Sequence, residues 1–486
     1  MHRRRHASDP ASASEPATSR RVLLTLLCVA QLMVILDISA VNVALPDMAR
    51  DLSIARGNIG WTITSYSLIF GSLLLLGGRS SDLLGRRRVL LAGLGVFTIA
   101  SLAAATAGDA TSLFAARAAQ GLGAALLSPA ALSIIMGAFR AGGERATALA
   151  AWGAVGGAGA AVGVLLGGTL TELVGWRAIF FVNLPIGLVL AAGAIRLLAA
   201  DAAKPAWRGL DVHGALLVTA SLAMLVLAIS QAGSAGWTST QTLGLALASA
   251  LGLAAFTALE RRSARPLLRI GRLADRAVGG GVLMMLVASA VLFDTFLLIS
   301  LYLQDVLGTG ALQTGLAFLP MAVALALGVR AASHVIGRRG LRAPLAGGFA
   351  TAAAGMLLLG GAGARGDYVG DVLPGMLIAG VGLGVVLVGV SLAVMTGASD
   401  DEAGMRSGLN TTGHEIGGSL GVAVLASVAT AALGSSSAAG LAAGIGDAFL
   451  VAAAMAGAAA TAALVLLPPA ASFLPKFRLA PPAAIH

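Results

Sequence analysis

Apolar residues along this chain gather into runs of about twenty, cut by short polar segments. The runs occupy 22–45, 59–78, 89–107, 113–138, 147–170, 178–199, 212–232, 241–259, 278–303, 312–335, 344–363, 372–396, 409–433 and 447–467. Each is long enough to cross a hydrocarbon layer of ~30 Å at 1.5 Å rise per helical residue. The pattern predicts an all-α polytopic membrane protein with fourteen transmembrane helices.

The polar segments set the orientation. Gly78 to Arg88 joins the second and third runs, and within those few residues stand Arg79, Asp82, Arg86, Arg87 and Arg88, with Gly78 and Gly85 at the turns. A loop this short and basic belongs on the cytoplasmic side. With the N-terminus inside, alternation places 26 of the 32 basic residues in cytoplasmic segments, Arg3 to Arg5, Arg140, Arg265, Arg269 and Lys476 among them. Only Arg50, Arg56, Arg177 and Arg365 fall outside, while Arg117 and Arg330 lie within spans. A miscount by one span would invert this bias, so it supports both the count and the cytoplasmic placement of both termini. The expected location is the cell inner (plasma) membrane.

Composition sharpens the class. The chain is 57% hydrophobic and only 11% charged, where a soluble protein would carry about 25% charged residues. The formal charge of +10 comes from loop arginines that set topology, so no nucleic-acid partner is expected. The single cysteine, Cys28, rules out an intrachain disulfide framework and a cysteine-based metal cluster. No Gly-x-x-x-x-Gly-Lys-Ser/Thr loop occurs, which argues against ATP-driven transport. No cofactor and no metal are expected. Segments outside the spans are too short for a soluble catalytic domain, so the chain reads as a non-enzyme. The polar start is too far from a signal peptide in pattern to be one, because the run from Val22 is much longer than a signal core.

Weak copies of two segments lie eight spans apart. Asp82 precedes Gly85-Arg86-Arg87 as His334 precedes Gly337-Arg338-Arg339, and Glu144-Arg145 leads into a glycine-rich span as Glu402 and Arg406 do. This spacing divides the chain into a tail (1–21), a six-helix bundle (22–199), an inserted pair of helices with flanking loops (200–277), a second six-helix bundle (278–467) and a Pro-rich tail (468–486). Two such halves enclosing a midplane site are the plan of many secondary transporters.

Charged residues inside spans are the candidate chemistry. Asp37, among Val34, Ile35, Leu36 and Ile38, must face a cavity, pair, or carry a proton. Arg117 enters the fourth span to a similar depth and is its candidate partner; a fixed cation beside a carboxylic acid helps it release a proton. Asp294, flanked by Phe293 and Phe296, holds nearly the same place in the second half and could attract a lipophilic cation. His414 and Glu415 form a further cavity pair. Gly159, Gly163 and Gly167, followed by Gly168, put small residues on one face of the fifth span, read as a packing seam between the halves. Asp82 with Gly78, Gly85, Arg86 and Arg87 reads as a gating loop, in which Asp82 accepts from a helix N-terminus or an arginine of the other half.

These residues resemble a known family. Leu36 to Pro46 is similar to the first-helix motif of the fourteen-span drug:proton antiporter branch of the major facilitator superfamily, and Gly78 to Arg88 to the superfamily's loop motif. Arg117, Gln120, Gly121 and Gly123 resemble the fourth-helix motif, and Gln120 joins the cavity candidates. Trp176 to Gly187, and Tyr302-Leu303-Gln304 with Gly308, resemble segments typical of this branch. One departure stands out: Gly163-Val164 replaces the Gly-Pro usual in the fifth helix. Asp294 is not part of the family pattern. The resemblance implies a major facilitator fold of two six-helix bundles plus two inserted helices. It also implies export of small lipophilic drugs or an antibiotic-like metabolite, cations included, in exchange for protons, with Asp37 and Arg117 handling the proton; a monomer is expected. An importer or facilitator on the same fold is the alternative; a non-transporting membrane sensor would call for a soluble signalling domain.

Overall fold

The computed structural model describes residues 17–139, 143–201, 210–263, 266–268, 270–397, 400–431, 437–467 and 469. Both tails beyond these bounds, and with them Arg3 to Arg5, Arg140, Lys204, Arg208, Arg265, Arg269, Lys476 and Arg478, lie outside the described residues. The chain forms α1 (Ala17–Asp51), α2 (Trp61–Leu84), α3 (Arg86–Ala105), α4 (Ala110–Ala138) and α5 (Gly143–Leu173). Next come α6 (Arg177–Leu197), α7 (Val212–Ala235), α8 (Thr240–Arg262) and α9 (Arg276–Val306), the last ending in a π-helical turn. The series closes with α10 (Ala311–Arg339), α11 (Arg342–Leu359), α12 (Tyr368–Met395), α13 (Asp400–Ala431) and α14 (Ala438–Leu466). Among the described residues there is no strand.

Thirteen of these helices are long and apolar enough to cross a membrane. The other is α13, whose 32 residues are ample to cross a membrane but include Arg406, His414 and Glu415. Its polarity has a local reason: Ser407, Thr411, His414 and Glu415 line an internal cavity instead of facing lipid. Lipid-facing character is clearest on α8, where Leu243, Leu247 and Leu251 recur every fourth residue at 55%, 61% and 62% exposure. The molecule is a multi-pass membrane protein.

Helix starts follow ordinary capping chemistry. Asp109 accepts from Ser112 N at 2.9 Å while Ser112 Oγ returns the bond, and Ser239, Asp275 and Ser437 cap α8, α9 and α14. Two turns need glycine. Gly85 (φ +104°) alone separates α2 from α3, and Gly340 (φ +71°) stands in the corresponding place before α11. The repeat is therefore three residues off the register read from sequence: Gly337 lies inside α10, and Gly340 is the counterpart of Gly85. Positive φ, not the neighbouring arginines, identifies the turn residue.

The repeat itself is visible in which helices touch. In the first half α2 packs on α4, α3 on α4, α1 on α5 and α3 on α6; in the second, α10 packs on α12, α11 on α12, α9 on α13 and α11 on α14. Across the halves α2 meets α13 and α5 meets α10, again a matched pair. The inserted helices α7 and α8 pack on each other, and α7 lies over the α2/α13 junction. Each half has its own apolar core, Phe97 and Leu127 being central to one and Phe349 and Met376 to the other. A third cluster joins Val41, Ala44 and Ile63 of the first half to Phe293, Leu297 and Val422 of the second.

Candidate functional site

Between the halves lies a cavity of about 1020 Å³. From α1 it is lined by Gln31, Val34, Ile35, Ile38, Ser39 and Asn42, spaced to form one helical stripe. From α9 come Leu292, Phe293 and Phe296; Phe70, Trp152 and Phe318 add further aromatic surface. Phe296 and Phe318 stack at 5.0 Å between ring centroids. The lining reaches Gly78, Arg79, Asp82 and Met405, so the cavity opens at the arginine-rich end of the bundle. The other end is shut. There Gln304 Nε2 donates to Val43 O at 2.8 Å, Glu172 accepts from Leu312 N at 3.5 Å, and a Cβ on Gly168 would lie 2.5 Å from Ala311 O.

Asp37 sits behind the α1 stripe, on the face turned into the first half, and is only 1% exposed. Arg117 Nη1 forms an ion pair with Asp37 Oδ2. Gln120 Nε2 donates to Asp37 Oδ1 at 3.0 Å and Asn183 Nδ2 donates to it at 2.9 Å. Arg117 is held in turn: Nε donates to Thr62 O at 3.0 Å, Nη1 to Gln120 Oε1 at 2.8 Å, and the guanidinium lies 4.4 Å from the Tyr66 ring centre. Ser101 Oγ accepts from Gln120 at 2.8 Å and closes the network. A buried charge pair this fully hydrogen-bonded is stable in place, whereas either partner alone would be costly. The structure thus joins Asp37 to Arg117, but Asp37 does not line the cavity. Gln120 does not line it either, because its amide is committed to Asp37 and Ser101. Asn183 and Ser101 were missed as members of this site; a lone amide in an apolar span was the available signal for Asn183.

Phe293, Phe296, His414 and Glu415 all line the cavity, and Asp294 does not. On a helix Asp294 is turned by roughly 100° from Phe293 and so faces into the second half. It is fully buried, and neither carboxylate oxygen has a hydrogen-bond partner. The repeat explains the contrast with Asp37. A Cβ on Gly121 would meet Tyr66 O and Phe70 N, and one on Gly380 would meet Met321 O and Leu325 N. A Cβ on Gly123 would meet Phe97, and one on Gly382 would meet Ala352. Helix α12 in this register puts Met376 where Arg117 stands and Ala379 where Gln120 stands; α11 puts Met356 where Ser101 stands. The second half has the acid without its donors.

The gating loop also differs from its expected arrangement. It is Asp201, beyond α6, that caps the N-terminus of α3: its carboxylate accepts from Arg87 N at 3.4 Å and Arg88 N at 3.0 Å. Arg87 Nη2 donates to Ile195 O at 2.9 Å, and a Cβ on Gly137 would touch Arg86 Nη1. The loop is therefore tied within its own half, and Asp82 stands exposed at the cavity mouth. The glycine seam needs a similar correction. A Cβ on Gly163 would lie 2.6 Å from Ser39 Cβ, and one on Gly167 2.6 Å from Ala40 Cα, so this face packs on α1 of the same half. Only Gly168, one residue round the helix, meets the other half. Phe70, Trp152 and Phe318 were not singled out from sequence, since aromatic residues in apolar runs give no sign of which face they occupy.

The chain matches the Major Facilitator Superfamily over residues 27–422. It is 39% identical over 429 residues to the puromycin resistance protein pur8 of Streptomyces alboniger, covering 87% of this chain and 84% of that one. It is 38% identical over 449 residues to the cephamycin export protein CmcT of Amycolatopsis lactamdurans, covering 92% of each. Among solved structures, a bacterial homologue of the human lysosomal transporter Spinster, in an inward-facing and unoccupied conformation, superposes with a TM-score of 0.63 at 13% identity, over 95% of this chain and 99% of that one. That last likeness concerns the fold alone. Two packed halves around a cavity open at one end, with this family match, make the conclusion plain: the chain belongs to the Major Facilitator Superfamily, as a multi-pass membrane transporter and not an enzyme.

Proposed function

We propose that this protein exports small lipophilic compounds of the antibiotic kind across the plasma membrane, driven by inward movement of protons. The observation that carries the reading is the cavity: about 1020 Å³, lined mostly by apolar and aromatic side chains, open at one end and shut at the other. Such a site takes up an apolar molecule by burying its surface, with few polar contacts to restrict its identity. Resistance and export proteins among its relatives agree with this. The arginine bias supports a cytoplasmic open end, where a drug would be loaded.

Export then requires the halves to rock about the site. The contacts of Gln304, Glu172 and Gly168 at the shut end break, and the mouth at Asp82 closes, so that the cavity faces outward. Asp37 and Arg117 are the proton-coupling pair. Protonating Asp37 would release Arg117 and loosen α1, α4 and α6 from one another; α1 also lines the cavity, so the proton's arrival is felt there. Asp37→Asn tests this in proteoliposomes. The variant should insert and bind substrate while losing efflux driven by a pH gradient. Undiminished gradient-driven efflux would refute the role of Asp37.

A further inference from the structure

The inserted helices α7 and α8 pack on each other beside the two bundles, and the chain must return from them to begin the second half. α8 ends at Arg262 and α9 begins at Arg276, both at the arginine-rich end where the cavity opens. Between them Pro266 and Leu267, both half-buried, join Arg79 and Asp82 of α2 and Met405 of α13 in lining the cavity. Among the described lining residues these two are the only ones that come from the inserted part of the chain.

Their position is held from both sides. α8 turns leucines to lipid along much of its length, yet Glu260, near its end, is only 3% exposed. Glu260 Oε2 accepts from Leu268 N at 3.1 Å, a bond of a carboxylate with a backbone N–H and so stronger than one between neutral groups. On the other side the 3-10 turn Ile270–Ala274 packs against the start of α9, where a Cβ on Gly279 would lie 2.1 Å from Leu273 O. Pro266 brings a fixed φ and no N–H in need of a partner, which suits backbone laid along an apolar wall. Leu267 is thus fixed at an entrance otherwise marked by Arg79 and Asp82. It narrows that entrance and offers apolar surface where a lipophilic molecule first meets the protein.

We propose that the inserted helices take part in substrate selection: they carry Pro266 and Leu267 to the cavity mouth as an apolar threshold that admits molecules by size, with Glu260 as the positioning residue that holds it. This rests on the cavity being the substrate site. The test is cysteine labelling of the purified full chain in nanodiscs, without substrate or gradient, in a Cys28→Ser, Thr411→Cys background. Thr411 lines the cavity farther along α13 than Met405, roughly 9 Å deeper. Two neutral reagents of the same chemistry are compared, N-methylmaleimide and N-(1-pyrenyl)maleimide, and the ratio of pyrenyl to methyl rate reads the width of the entrance. Glu260→Leu should raise that ratio about tenfold, the factor by which loss of a hydrogen bond to a charged group shifts the population of a held segment. Glu260→Gln, whose amide oxygen still accepts from Leu268 N, should stay near wild type. Leu267→Ala should raise the ratio and Leu267→Trp lower it. An unchanged N-methylmaleimide rate shows that each variant is folded around the same cavity. A ratio that neither Leu267 variant moves overturns the proposal, as does a Glu260→Gln variant that behaves like Glu260→Leu. Should Glu260→Leu not fold, the two Leu267 variants decide. No transport enters this assay, so a failure of proton coupling leaves it unchanged. Ratios that move as expected, while Leu267→Ala exports bulky and small drugs in unaltered proportion, would instead sink the reading of the cavity as the drug's route.

Discussion

Replacing Arg117 with methionine, the residue that holds its place in the second half as Met376, would remove a guanidinium that engages Asp37, Gln120 and Thr62. Asp37 would keep only the amides of Gln120 and Asn183, at 3.0 and 2.9 Å, and would remain a 1%-exposed acid without its cation. Losing one partner of such a pair costs about 3–5 kcal/mol, most of it the penalty on the charge left behind. Asp37→Leu alone should cost about as much, for the same reason applied to Arg117. The double variant leaves no buried charge at this pair and should recover to within about 2 kcal/mol of wild type, giving a coupling energy of at least ~4 kcal/mol. Unfolding followed by circular dichroism in mixed micelles, across wild type, both single variants and the double variant, measures this. The double variant should also be inactive in gradient-driven efflux despite its restored stability. Single variants as stable as wild type, or a double variant as unstable as the sum of the two, would show that the pair is not held as a buried, mutually compensating unit.

Gly167→Leu should destabilise the protein by about 1–3 kcal/mol or block its folding, because even a Cβ would lie 2.6 Å from Ala40 Cα; Gly244→Ala, inside α8 with nothing within 4 Å, should not lower the melting temperature. Asp201→Ala removes the cap of α3 and should lower stability by ~1 kcal/mol without altering the substrate range, as thermal unfolding and a drug panel would register. In a Cys28→Ser background, Thr411→Cys should react with a membrane-impermeant maleimide from the cytoplasmic side, and Ala311→Cys, 4% exposed at the shut end, from neither side. Phe296→Ala should weaken binding of aromatic substrates about tenfold, read as dissociation constants in nanodiscs, since it removes a ring stacked on Phe318.

Lipid exposure makes a span recognisable, and so the fold class was legible: an apolar run of about twenty residues has few other uses. The one helix that departs from this rule, α13, does so because Ser407, Thr411, His414 and Glu415 face the cavity and Arg406 donates to the backbone of Val394 and Thr396. Charged residues within spans were also conspicuous, since each is expensive in an apolar setting. Their partners were less so. Arg117 was matched to Asp37 by depth, while Asn183 came from a helix far along the chain, and the acid that caps α3 is Asp201, more than a hundred residues from the loop it holds.

What the chain determines by itself is therefore where helices run, which loops are basic and which residues must find a partner. Tertiary structure alone decided which way each side chain faces. Asp37 and Ile38, like Asp294 and Phe293, are neighbours in sequence, yet in each pair one residue is turned into its own half and the other onto the cavity. Helical periodicity separates such neighbours, but in a span apolar on every side it carries no mark of which face meets lipid, bundle or cavity. Only the packing of α2 on α13 and of α5 on α10 breaks that symmetry, and with it Glu415, one polar residue among several in α13, becomes the acid on the cavity's deep wall.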